Sequence, residues 1–225
     1  PSLSAIIQLG SVFALVWYFR KDIFKSRIQY SINIFYLLKK RLFRSILIGT
    51  LPIIILGGII KLFSPYFYFN TLRSNFSIAI VSFLMAIFMY IADNSKKGSI
   101  NLNNHKFSDS LLIGISQAFA IIPGFSRSGV TISTALVSDW ERGDAAKFSF
   151  LLGMPAIFLS ALVELISSFN EFSSFSFLPL IVGLITTFLS SLFAIDFLIR
   201  YLASNGLKLF IIYRVLFGFV ILLNL

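Results

Sequence analysis

The 225-residue chain contains no cysteine, so disulfides, thiolate clusters and thiol nucleophiles are excluded within it. A single histidine leaves little room for imidazole catalysis or a histidine-built metal site. Charge is scarce as well: 12% of residues are Asp, Glu, Lys or Arg, about half the share usual in soluble domains. Acids are the scarcer sign, nine against nineteen Lys and Arg, for a formal net charge of +10. The remainder is apolar, 57% hydrophobic with 27 phenylalanines and a mean hydropathy of +0.90. Such a composition excludes an ordinary soluble domain. The basic excess lies in the stretches between apolar runs, which is the pattern of a membrane protein's loops, and no nucleic-acid partner is expected.

Six runs with little or no charge, residues 3–19, 46–63, 76–92, 148–168, 177–199 and 209–224, make up 112 residues, half the chain. Runs of that length cross lipid as helices. The first begins almost at once, with no basic segment before it, so it does not read as a signal peptide, and a start at Pro1 reads as an N-terminally incomplete chain. Residues 20–44 carry Arg20, Lys21, Lys25, Arg27, Lys39, Lys40, Arg41 and Arg44 against Asp22, which assigns this loop to the cytoplasm. Residues 93–109, with Lys96, Lys97 and Lys106, then fall on the same side, and the polar tract 94–104 marks a midpoint.

Between residues 110 and 138 two short apolar stretches flank Pro123-Gly124-Phe125-Ser126-Arg127-Ser128-Gly129. If this segment crosses the membrane, eleven Lys and Arg lie inside and six outside; if it enters and returns, fifteen lie inside and two outside, with Arg127 and Arg214 at membrane depth. The bias favours a re-entrant hairpin around a polar pocket, since irregular backbone at that depth must be satisfied by protein or trapped water. Three runs precede the hairpin and three follow, so the two halves face opposite ways, the arithmetic of an inverted repeat. The expected fold is therefore an all-α polytopic membrane protein, one integral domain over residues 1–225. It has six transmembrane helices plus the hairpin, with residues 1–93 as the first repeat, lacking its own hairpin, and 110–225 as the second.

The segment from Gln117 to Thr131 places a guanidinium, three hydroxyls and two glycines at the start of a helix, the ingredients of an anion site. Gly124 and Gly129 let backbone N–H groups approach a phosphate, the helix N-terminus adds donors and partial positive charge, and Arg127 offers a two-pronged grip. Ser126 or Ser128 caps the helix, and Thr131 faces the same end. A lone arginine at mid-bilayer costs about 2.5 to 3.5 kcal/mol, which favours a substrate role over a structural cap pairing with a neighbouring helix. No Gly-Lys-Ser/Thr follows, so this is not a Walker A loop.

Other polar residues carry weaker signals. Arg214 either binds a second phosphate or pairs with a carboxylate or helix carbonyl, and Gln117 either contacts substrate or joins helices. His105 reads as a solvated loop residue. Asp139, Glu141 and Asp144 read as a solvated turn rather than a metal site. Glu164 and Asp196 reach headgroup water, Pro52 and Pro155 kink their helices, Gly57 and Gly58 allow close packing, and most phenylalanines face lipid.

Taken together these residues resemble the undecaprenyl-diphosphate phosphatases of the bacitracin-resistance type, membrane enzymes of bacterial cell-wall lipid recycling. Pro123 to Thr131 is similar, without mismatch, to that family's second signature, Pro-Gly-x-Ser-Arg-Ser-Gly-x-Thr, and Gln117 stands where the family has Gln. Ile7-Gln8-Leu9-Gly10-Ser11, Arg142 with Ala145-Ala146-Lys147-Phe148-Ser149-Phe150-Leu151-Leu152, Pro155, and Ile212-Tyr213-Arg214 resemble further family segments in the right order. The likeness is weakest over residues 26–40 and 94–106. The family's first signature, paired glutamates followed by a Ser-Ser-Gly-His-like turn, is absent. The resemblance implies that acid/base functions belong to that signature and that the chain alone holds half an active site and is inactive.

The resemblance further implies hydrolysis of undecaprenyl diphosphate to the monophosphate and phosphate in the bacterial inner membrane, for peptidoglycan synthesis, with bacitracin resistance as a consequence. Arg127, Ser126, Ser128 and Thr131 are the expected catalytic residues, and Gly124, Gly129, Gln117 and Arg214 the expected substrate-binding ones. The nucleophile is a serine, a histidine of that first signature or a water, no residue is expected to bind metal, and a divalent cation such as Mg or Ca is compatible as a phosphate counter-ion. The expected partners are a polyprenyl diphosphate lipid and the bilayer. The alternatives are a lipid transporter, which shares inverted repeats and broken helices, and an inactive fragment.

Overall fold

A computed structural model describes residues 2–24, 41–63, 72–95, 98–167 and 177–224. The expected basic residues Lys25, Arg27, Lys39, Lys40, Lys96 and Lys97 lie outside this set. The described residues are all-helical: α1 (Ser2–Tyr18), α2 (Arg20–Phe24), α3 (Arg41–Phe63), α4 (Asn75–Asp93), α5 (Phe107–Ala118), a 3-10 turn (Phe119–Ile121), α6 (Arg127–Val137), α7 (Arg142–Ser167), α8 (Phe177–Asn205) and α9 (Lys208–Leu223). Four of them, α3, α4, α7 and α8, are long and apolar enough to cross a membrane. Each apolar run of the sequence falls within or almost within one helix. The helix often extends past the run into polar residues, because an intrahelical ladder satisfies its backbone in lipid and in water alike.

α1 packs on α7 and α8, α4 on α9, and α5 and α6 pack on each other and against α3, α4 and α7. The buried core gathers Phe19, from the turn between α1 and α2, with Met85 and Met89 of α4 and Phe148 and Leu152 of α7. Outer faces stay apolar: Leu178, Leu189 and Phe193 of α8 are 71%, 58% and 75% exposed, a surface that suits lipid and not water.

Close packing falls elsewhere than expected. A Cβ on Gly57 would meet only Ile121 Cδ1 at 3.8 Å, and one on Gly58 nothing within 4 Å. The close crossing is instead at Gly49 of α3 and Gly114 of α5. A Cβ on Gly49 would stand 2.8 Å from the Ser110 carbonyl, and one on Gly114 would overlap the Gly49 backbone. A pair of glycines on facing helices permits this approach, which adjacency within one helix does not achieve.

α5 and α6, of 12 and 11 residues, are about 18 and 17 Å long at 1.5 Å per residue. The loop before α5 bonds to the turn after α6. Ser99 N–H and Ile100 N–H donate to the Asp139 carbonyl (2.8 and 2.9 Å), and Glu141 N–H donates to the Ile100 carbonyl (2.8 Å). α6 ends in a Schellman motif, with Trp140 N–H bonded to the Ala135 carbonyl and Asp139 N–H to that of Leu136. Asp139 occupies the left-handed position at φ 68°. The turn expected to be a solvated acidic one is therefore docked: Ser99 Oγ donates to Asp139 (2.5 Å), Leu102 N–H to Asp144 (3.0 Å) and Asn101 Nδ2 to Glu141 (3.4 Å).

His105 corrects the sequence reading outright. It is fully buried, with Nδ1–H donating to the Leu102 carbonyl (3.0 Å), which leaves Nε2 to accept from Ser45 Oγ (2.8 Å). Its ring lies 5.3 Å from that of Trp140 and 5.8 Å from that of Phe148, so it joins α3, the α4–α5 loop and the start of α7. Burial lowers its pKa below the ordinary 6.5, with Arg41 pushing the same way and Asp109 and the Leu102 carbonyl opposing. The native state then holds a neutral ring while the unfolded chain binds a proton, so stability is full above about pH 7 and falls as pH drops below the unfolded value. The thermal unfolding midpoint is expected to fall between about pH 7 and 5.5 in the parent protein and to change less in His105→Gln, which itself costs about 1 to 2 kcal/mol.

Candidate functional site

The interrupted hairpin builds the site. After the 3-10 turn, Gly124 takes φ 98°, a conformation that L side chains rarely adopt, and its backbone presses against α4. A Cβ there would lie 2.8 Å from the Ile78 carbonyl and 2.9 Å from Val81 Cβ. The chain then enters α6 through Ser126, whose Oγ accepts from Gly129 N–H (3.1 Å); of the two serines considered as the cap, Ser126 is the one used. That bond occupies a lone pair of the hydroxyl and leaves its proton to donate.

Two cavities flank the hairpin tip. One, of about 160 Å³, lies among α4, α6, α8 and α9 and is lined by Ser126, Ser128, Gly129 and Arg214 with apolar neighbours such as Leu202 and Leu207. The other, of about 200 Å³, lies among α1, α6, α7 and α8 and is lined by Arg127, Ser11, Ser191 and apolar side chains. Leu198 lines both. Each cavity thus holds one arginine. Arg214 Nη1 donates to the Gly124 carbonyl (2.9 Å), tying α9 to the tip, and Arg127 Nη1 donates to the Gly153 carbonyl of α7 (2.6 Å). Neither guanidinium has a carboxylate partner among the described residues' ion pairs. Each keeps N–H donors beyond that one bond, and positive charge without a counter-ion in an apolar bundle attracts anions.

The remaining expected residues point elsewhere. Thr131 is buried; its hydroxyl donates to the Arg127 carbonyl (2.9 Å) and pairs with Ser149 Oγ (2.6 Å), so it braces α6 on α7 and lines neither cavity. Gln117 is fully buried with neither amide atom hydrogen-bonded, and it too lines neither cavity. Among the described residues no three His, Asp or Glu come together as a metal site. Glu164 accepts from Gln8 (3.3 Å), and Asp196 accepts from Tyr18 (3.0 Å) and pairs with Arg200 (2.9 Å), so both acids are engaged between helices.

Sequence reasoning did not single out Ser11, Ser191 or Gly153 for the site. The serines, bonded to each other at 3.0 Å, carried one usable signal, a hydroxyl within an apolar run. Gly153 carried none, because its part is to offer a carbonyl to a residue 26 positions away.

Comparison with known proteins matches residues 1–220 to the family described as bacitracin resistance protein BacA. The chain is similar to an undecaprenyl-diphosphatase of Prochlorococcus marinus strain MIT 9312, 75% identical over 226 residues that cover 100% of this chain and 84% of the relative. It is 70% identical to the one of strain AS9601, over 100% of this chain and 82% of that protein. Similarity extends to the undecaprenyl-diphosphatase of strain MIT 9303, 41% identical over 98% and 77% of the two chains.

Proposed function

Because the chain belongs to the bacitracin resistance protein BacA family, we propose that it hydrolyses undecaprenyl diphosphate to undecaprenyl phosphate and inorganic phosphate. A P–O bond to water or a serine oxygen forms as the bridging P–O bond breaks, and the bridging oxygen leaves on the lipid. Where serine attacks, water then releases phosphate from it. The reaction returns the lipid carrier to peptidoglycan synthesis and confers bacitracin resistance. The observation that carries this reading is the pair of uncompensated arginines, each in its own cavity, on either side of one capped helix start.

Arg127, acting from its own cavity, and the first N–H groups of α6 stabilise charge that grows on the phosphoryl oxygens of one phosphate. Ser126 and Ser128 position the other phosphate in the cavity they line, where Arg214 binds it, and Gln117 and Thr131 hold the hairpin that carries them. The polyprenyl tail lies between helices. The lining is hydroxyl, guanidinium and hydrocarbon, which does not fit a resident hard cation that needs several carboxylate or carbonyl oxygens.

The finer architecture belongs to the same proposal: six crossings and a re-entrant hairpin over residues 110–138, in the bacterial inner membrane. The brevity of α5 and α6, the bonds between residues 99–100 and 139–141, and the charge bias of the loops support the hairpin. Packing supports repeats at residues 1–93 and 110–225, since α1 meets α8 as α7 meets α3, while α1 meets α7 and α4 meets α9. The test is phosphate release from undecaprenyl diphosphate in detergent by the full-length protein. Release with monophosphate as co-product is expected. No release by folded protein that instead moves the lipid across vesicle bilayers overturns the hydrolase reading in favour of transport.

A further inference from the structure

At the far end of the serine-lined cavity, three helix ends converge on Asp93. It is the last residue of α4, and Arg142, the first residue of α7, donates to it twice: Nη1 to the carboxylate and Nη2 to the backbone carbonyl (2.7 Å). Leu207 N–H, at the cap of α9, donates to the same carboxylate (3.1 Å). Between them the α8–α9 turn passes through Gly206 at φ 70°, where a Cβ would overlap both Arg142 Nη1 and Asp93 Oδ1.

For their own helices both charges sit at the wrong end. A carboxylate at a helix C-terminus and a guanidinium at an N-terminus each oppose the macrodipole. The arrangement is favourable only jointly, with the carboxylate shared by Arg142 and the N-terminus of α9. What it fixes is the start of α9. Seven residues on, about 10 Å along the axis, stands Arg214. One turn further, Gly218 packs on Phe83 of α4, with a Cβ position 2.9 Å from the ring. Arg214 is therefore held between two pins on α4, and Leu202 and Leu207 beside the first pin are cavity walls.

We propose that Asp93, Arg142 and Gly206 are positioning residues that set Arg214 against the hairpin tip and so determine how tightly the substrate's phosphate is bound. The proposal rests on the diphosphatase reading. The test is steady-state phosphate release by Gly206→Ala and Asp93→Ala, each alone and combined with Arg214→Ala, with Arg142→Lys and Arg142→Ala alongside. A KM rise of about tenfold with kcat within about twofold is expected for Gly206→Ala and Asp93→Ala, because a binding group is displaced and not the chemistry. In the Arg214→Ala background the same changes are expected to add less than about twofold. Arg142→Lys, which keeps the charge, is expected to restore part of the KM lost in Arg142→Ala, and this serves where the Asp93 or Gly206 variants do not fold. Unchanged KM in folded variants, equal losses with and without Arg214, or no rescue by lysine overturns the proposal. Wild-type protein that releases no phosphate overturns the underlying reading instead.

Discussion

Replacing Arg127 by lysine is expected to lower kcat for phosphate release by about 10² to 10³, the loss typical when one fixed donor to a developing oxyanion is removed. Arg127 Nη1 is committed to the Gly153 carbonyl at 2.6 Å, which orients the guanidinium plane and leaves its other N–H groups for the cavity. An ammonium has no planar fork, so a lysine that keeps the Gly153 bond does not present the same donors to a phosphoryl group. Charge is conserved in this change, so a large loss reports geometry and not electrostatic attraction alone. The check is kcat and KM measured together, with gel filtration in detergent confirming a folded protein. A kcat within about threefold of wild type assigns Arg127 to packing α6 on α7, the structural alternative that the sequence left open.

Gly124→Ala carries the second large effect, a loss of about 2 to 4 kcal/mol of stability accompanied by loss of activity. Two independent costs coincide. The φ of 98° is strained for any residue with a Cβ, and that Cβ would stand 2.8 Å from the Ile78 carbonyl, part of a helix backbone that does not swing aside as a side chain does. Relief requires the tip to move away from α4, which withdraws the carbonyl that Arg214 holds at 2.9 Å. The expected readout is a lowered thermal unfolding midpoint in detergent, with phosphate release depressed even below that midpoint. An unchanged midpoint shows that the tip does not press on α4 in this conformation.

Local features explain what was readable early. A run of apolar residues reports transfer from water to lipid, which needs no partner, so residues 3–19, 76–92 and 209–224 correspond closely to α1, α4 and α9. A cap is settled within three residues, so Ser126 or Ser128 marked the start of α6, and the structure uses Ser126. Pro123-Gly124 announced the break for the same reason. The motif also carried the family, later matched over residues 1–220.

Everything that depended on how one helix turns toward another stayed hidden. His105 sits in a tract of asparagines and looked wet, yet its partners Ser45, Trp140 and Phe148 lie 60, 35 and 43 positions away and arrive only through packing. Arg127 and Ser128 are neighbours in sequence, but a helical step of about 100° sends them into different cavities. The sequence suggests close glycines within one helix, at residues 57 and 58, and the structure has them across two, at Gly49 and Gly114. The sequence alone determined that this chain is a helical membrane-type protein with a capped helix start that carries Arg127, because hydropathy, charge bias and capping act over a few residues. Only the tertiary structure decided which polar groups face the cavities and which brace the helices, because that depends on the rotation and crossing of helices, set by side chains far apart in the chain.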